Sequence, residues 1–169
     1  VDANGKVAEG EVWNFRPRRL AFPGAEGYGR FAIGGRGGSV YHVTSLEDNP
    51  ENPQPGSLRY GITKVKGPRT IVFDVAGIID LKDRLVCSDP FITVAGQTAP
   101  GKGILLREHP FGFGSEGIFR FIRLRLGKYL DKNGKTITLD GLGAAGCDNT
   151  IIDHCSVGWT IDEAFSSRN

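Results

Sequence analysis

The stretch Gly117–Leu126 reads GIFRFIRLRL. Apolar Phe119, Phe121, Leu124 and Leu126 alternate with Arg120, Arg123 and Arg125, with one slip of register near Ile122. A period of two belongs to an extended strand, whose successive side chains point to opposite faces. The pattern predicts apolar side chains on the inside of a wall and arginines outside it, the slip marking a bulge. An outward row of arginines is what a solvated face ordinarily carries, and it is also a face that suits an anionic polymer.

On either side of this stretch lie further compact apolar segments bounded by turn residues: TIVFDV at Thr70–Val75, RLVC at Arg84–Cys87, FITVA at Phe91–Ala95 and GILLR at Gly103–Arg107, then TITL at Thr136–Leu139 and NTIIDHCSV at Asn149–Val157. All are too short for helices and rich in β-branched residues, so they read as strands. Several recur at intervals of about 20 to 32 residues, the spacing with which each coil of a β-solenoid returns to the same face. A sandwich would place hairpin turns between neighbouring strands, and Asn133-Gly134 is the only Asn-Gly pair that falls between strand-like segments. The expected fold is therefore all-β, a right-handed parallel β-helix. Ser57 predicts the N-cap of one short helix, running to about Val65 and stopped by Gly67-Pro68.

The other features agree with one β-rich domain. The chain has 169 residues, 25 glycines and nine prolines, a composition that favours short strands and tight turns. Residues 1–20 are polar and irregular and read as an arm; 21–169 read as the β-helix domain. The glycines between Gly24 and Gly38 (GAEGYGRFAIGGRGG) lack a following GK[ST] and lead into the strand-like SVYHVT at Ser39–Thr44, which predicts a structural turn and not a phosphate loop. Twenty-one basic and nineteen acidic residues give a net charge of +2, spread along the chain without a basic block, so composition offers no nucleic-acid footprint. No apolar run approaches the roughly 20 residues of a membrane-spanning helix. Cys87, Cys147 and Cys155 have no CxxC spacing, which excludes the usual zinc patterns and allows at most one internal disulfide.

Carboxylates carry the chemical signal. Asp140, Asp148, Asp153, Asp162 and Glu163 crowd the last thirty positions, with His154 as the only nearby histidine. Oxygen ligands without a His/Cys cluster favour Ca²⁺ or Mg²⁺, and adjacent solenoid coils would bring Asp140 and Asp162 to one ion. The same residues are equally what surface turns of a β protein carry. Alternation along a strand puts Asp162 in the groove and turns Glu163 to the opposite side. The same rule separates Asp153 from His154, which together with the lack of a GxSxG elbow argues against a Ser/His/Asp triad; both read as structural residues of the wall.

Six strings resemble the pectate lyases, family 1 of the polysaccharide lyases, in order along the chain: AFPGAEGYGR at Ala21–Arg30, VYHVTSL at Val40–Leu46, PGSLRYGI at Pro55–Ile62, GPRTIVFDVAGII at Gly67–Ile79, ITVAGQTAPGKGI at Ile92–Ile104 and IIDHCSVGWTIDE at Ile151–Glu163. The resemblance implies a secreted enzyme that cleaves α-1,4-polygalacturonate by Ca²⁺-dependent β-elimination. It implies Asp140 and Asp162 as calcium ligands with Glu163 as a neighbour that substitutes, and Asp153 and His154 as organisers of the site. The family's further acid four residues before the later aspartate is Gly158 here. The resemblance matches the N-terminal portion of the family and places the catalytic arginine beyond Asn169. The chain alone is thus expected to lack its base, with a C-terminal segment or a partner chain covering an open last coil. A pectin lyase acting on methyl-esterified polymer without Ca²⁺, and a non-catalytic binder of acidic polysaccharide, are the alternatives.

Overall fold

The computed structural model describes residues 3–7, 10, 18–127, 130, 133–136 and 139–168. Among them thirteen short strands stack into three parallel sheets. The first sheet runs β1 (Ser39–Val43), β2 (Arg69–Phe73), β5 (Ile92–Ala95), β8 (Ile118–Arg120), β11 (Ile151–Asp153). The second is β3 (Gly77–Asp80), β6 (Ile104–Arg107), β9 (Ile122–Arg125), β12 (Ser156–Gly158); the third is β4 (Leu85–Val86), β7 (Phe111–Gly112), β10 (Leu142–Gly143), β13 (Phe165–Ser166). The chain visits the three sheets in turn and returns one strand further along each time, which is a parallel β-helix.

Its interior is built from columns of matched residues. Ile79, Leu106, Leu124 and Val157 share a register in the second sheet, as do Leu85, Phe111, Leu142 and Phe165 in the third. Most of these are fully buried, but Phe165 on the last described coil is 45% exposed. Cys87 lies in the same core, and all three cysteines are free thiols. Burial pushes the Cys87 thiol far above its ordinary pKa.

One sequence expectation changes here. GIFRFIRLRL is not one strand: it splits into β8 and β9 of different sheets, and the corner is Phe121, whose φ is 57°. Phe121 therefore points outward and Ile122 takes the buried position. The arginines are divided accordingly: Arg120 faces out from the first sheet, Arg123 and Arg125 from the second, so they form no single row. NTIIDHCSV splits the same way, with the corner at His154, φ 52°.

The helix α1 spans Leu58–Thr63, and the Ser57 hydroxyl accepts from the Tyr60 amide as an N-cap. Its Leu58 and Ile62 close the N-terminal end of the core. Fully buried Arg69 clamps it there by donating to the carbonyls of Gly61, Ile62 and Gly67 and to Asp89. Asn133-Gly134 is flanked by an antiparallel bridge between Leu130 and Thr136. Ile137 and Thr138 of the expected TITL strand, and most of the expected arm including Arg16 and Pro17, lie outside the described residues.

The glycine-rich segment is a strap that crosses successive coils. Gly35 donates to the Thr93 hydroxyl, Gly34 to the carbonyl of Glu116, and Ile33 to the Glu116 carboxylate. Two glycines let it lie flat: a Cβ on Gly35 would stand 2.1 Å from the Arg69 carbonyl oxygen, and one on Gly29 equally close to that of Thr150. Both neighbours are backbone held in the sheet and cannot yield. Gly35→Ala should therefore lower unfolding stability by about 2 kcal/mol or more, read as a fall in the denaturant midpoint at unchanged m-value.

Candidate functional site

The residues that lead directly into the strands of the third sheet stack, because the strands that follow them are paired. Asp140 lies in the turn before β10, and Asp162 and Glu163 in the turn before β13. The backbone ties the two turns together: Gly141 donates to the Glu163 carbonyl and Ala144 to that of Ser166. As a result one carboxylate oxygen each of Asp140, Asp162 and Glu163 lies within 4.8 Å of the others. Glu163 thus joins the cluster, against the expectation that it turns away. Residues 162 and 163 sit in a bend between β12 and β13, and strand alternation does not apply there.

Residues that sequence reasoning passed over complete the arrangement. The Ser166 hydroxyl stands 3.0 Å from Asp140 Oδ2 and 3.1 Å from Glu163 Oε2. Arg168 donates to both oxygens of Glu163, at 3.2 and 3.1 Å, and reaches within 3.8 Å of Asp140. A hydrogen bond with the Glu163 side chain, then one with Ser166, holds the Asp140 carboxyl below its ordinary range, with Arg168 and Arg84 adding to the effect. The signal that finds Ser166 is the coil register: it pairs with Gly143, three residues past Asp140.

The cluster faces a groove of about 570 Å³ along the outer side of the third sheet, lined by Asp83, Arg84, His109, Asp140 and Arg168 among others. Val86, Gly112, Gly143 and Ser166 occupy successive positions of one outward column, and Gly143 and Ser166 of that column line the groove.

Asp153 and His154 stand elsewhere, at the corner between the first and second sheets. Contrary to the expectation from strand alternation they touch: His154 Nδ1 is 2.8 Å from Asp153 Oδ2. The strand ends at Asp153, and the left-handed conformation of His154 swings its ring back. Arg120, one coil earlier in register with Asp153, donates to the same carboxylate at 2.6 Å. His154 stacks on Phe121 at 4.5 Å, and Arg120 lies 3.7 Å from the ring centroid of Phe22 in the strap. The corner therefore fastens strap to coils. Burial raises the Asp153 carboxyl, but the bonds from His154 and Arg120 outweigh it and leave its pKa low.

No protein-family model matches the chain. The Emericella nidulans protein named "Probable pectate lyase C" is 48% identical over 149 residues, which covers 87% of this chain and 32% of that protein. The Aspergillus flavus protein of the same name is 43% identical over 155 residues, 90% of this chain and 34% of that one. The crystal structure of Jun a 1, the major allergen from cedar pollen, superposes with a TM-score of 0.64 at 29% identity, covering 85% of this chain and 44% of the allergen. The chain spans about a third of the length of the curated relatives it matches.

A carboxylate whose pKa is lowered on folding contributes stability above its unfolded pKa of about 3.9 and loses it as pH falls through the folded value. Asp153→Asn should accordingly cost about 1 kcal/mol at neutral pH. The gap in Tm between variant and wild type should narrow as the pH of thermal melts is taken below about 4.

Proposed function

The chain belongs to the pectate lyase family over the third of those proteins that it spans, and on that premise we propose that the whole protein is a Ca²⁺-dependent lyase of polygalacturonate acting outside the cell. The observation that carries this reading is the convergence of Asp140, Asp162 and Glu163 on one another at the edge of an open groove that Asp140 lines.

The donor set fits the ion. Three carboxylates with no sulfur or imidazole ligand are what a hard cation of flexible geometry takes. Like charges so close repel unless a cation lies between them, and only part of that charge is balanced by Arg168. Asp140 lines the groove and Asp162 and Glu163 are exposed beside it, so positions on the open side are free for water or for substrate oxygens. When bound, Ca²⁺ would supply a Lewis acid that draws charge from a substrate carboxylate and so acidifies the proton on the adjacent carbon.

The residues of the chain would do the rest by position. Asp140 and Ser166 fix the orientation of the cluster through their hydrogen bond. Arg168, held against Glu163, places a positive charge beside the site. In β-elimination the C5 proton passes to a base, the C4–oxygen bond of the glycosidic link breaks, and a C4–C5 double bond forms. We assign the base to an arginine outside this chain, as the family resemblance implies.

The decisive assay follows absorbance of the 4,5-unsaturated product from polygalacturonate with and without a chelator. Product that disappears on chelation and returns with added Ca²⁺ supports the reading; product that persists in chelator, or forms only from methyl-esterified polymer, overturns it. Asp140→Asn and Glu163→Gln should each weaken Ca²⁺ binding by roughly an order of magnitude while leaving the thermal midpoint near that of the wild type, as titration calorimetry beside thermal melts would show.

A further inference from the structure

We propose that Arg84 is a carboxylate-binding residue of the groove, recognising an unesterified uronate of the polymer beside the acid cluster. The assignment rests on the reading of this groove as a uronate-polymer site, but on none of the acidic residues.

Arg84 stands at the start of the third sheet's first strand, exposed to solvent and lining the groove. Its side chain extends along the axis: the Nη2 atom lies 3.9 Å from where a Cβ on Gly143 would be, two strands further on. Its charge reaches Asp140, whose carboxyl it helps to hold low, yet no carboxylate stands within ion-pair distance of it among the described residues. Nor does its guanidinium donate a hydrogen bond to any of them. Only its main chain is engaged, the amide with Asp83 Oδ1 at 2.7 Å and the carbonyl with Arg59. A guanidinium offers a planar fork that matches a carboxylate, and here that fork is presented over Gly143, which has no side chain.

The backbone beneath it is held with unusual care. Arg59 and Asp48 form a buried pair, with side chains 6% and 1% exposed, joined by two bonds of 2.6 and 2.7 Å. Its remaining bonding capacity goes to one turn: Arg59 donates to the carbonyls of Asp83, at 2.6 Å, and Arg84, at 3.2 Å, while Asp48 accepts from the amide of Lys82 at 2.8 Å. Three consecutive residues are thus fixed by one pair of charges. Burying charges is costly unless their geometry is fully satisfied, and what this pair secures is the position from which Arg84 enters the groove. Arg59 and Asp48 are positioning residues in this sense and touch no ligand.

Although Arg84 starts from the first coil of the third sheet, its guanidinium reaches the coil that carries Asp140, so a polymer lying in the groove would meet Arg84 beside the acid cluster. Arg84 would pair directly with a free carboxylate, while the acids need a cation to do so. A methyl ester removes the charge that Arg84 recognises.

The test is calorimetric titration of the protein with tetragalacturonate in chelator, set beside the fully methyl-esterified tetramer. Arg84→Gln should weaken tetragalacturonate binding about tenfold, the loss of one charged hydrogen-bonded contact, and Arg84→Lys should recover part of it. The esterified tetramer should bind wild type and Arg84→Gln alike. Arg59→Gln, where circular dichroism shows it folded, should weaken tetragalacturonate binding without altering the preference between the two tetramers in Arg84→Gln. Equal affinity of wild type and Arg84→Gln for tetragalacturonate, an equal loss for the esterified tetramer, or no binding by the wild type overturns the assignment. Failure of the lyase reading looks different: the wild type would bind tetragalacturonate in chelator, with the Arg84 effect intact, and release no unsaturated product when Ca²⁺ is restored.

Discussion

Everything in this molecule depends on the parallel pairing of each coil with the next, in register, in all three sheets. Parallel strands cannot be joined by hairpins, so every connection must travel round the coil before pairing again. Once the register is set, a residue at one level stands directly over its counterpart a coil earlier. Inside, this makes apolar columns such as Ile79, Leu106, Leu124 and Val157, each fully buried aliphatic side chain adding about 1.5–3 kcal/mol. Outside, the same rule lays Val86, Gly112, Gly143 and Ser166 in a line.

Turns escape the strict alternation of the strands, and chemistry gathers at them. The turns into the third sheet vary in length from coil to coil, yet their ends are fixed by paired strands, so acids distant in sequence converge there. The corners between the first two sheets do the opposite. On the last two described coils they are tight, turning at Phe121 and His154 in left-handed conformation, and they consolidate the wall. The Asp153 cluster belongs to this second kind: its ion pairs and ring stacking join two coils and the strap, on a different edge of the coil from the groove.

Among the described residues, buried arginines stand in two places. Arg69 secures α1 over the end of the core, and the Asp48–Arg59 pair secures the turn at 82–84. Arg69 satisfies carbonyls at the C-terminal end of α1, and the Asp48–Arg59 pair satisfies backbone groups of the segment that leads into the first strand of the third sheet. Removing one member of such a pair leaves an uncompensated charge, at a cost of about 3–5 kcal/mol.

The sequence by itself determined the class of fold, the short helix with its Ser57 cap, and the structural role of the glycine segment, because these depend on local periodicity and on what backbone conformations glycine and serine permit. It also marked Asp140, Asp162 and Glu163, since acids without histidine or cysteine partners stand out in composition. Tertiary structure alone decided where strands break at Phe121 and His154, for alternation carries no signal of a corner at which both flanking residues stay extended. That choice reversed the expected sides of Phe121 and Ile122 and brought Asp153 and His154 into contact. Tertiary structure alone also brought Glu163 to Asp140, set Ser166 and Arg168 against them, and bound Asp48 and Arg59 to the turn at Arg84. These contacts follow from coil register, and register is fixed by how many residues each turn consumes, a quantity that no local pattern of side chains records.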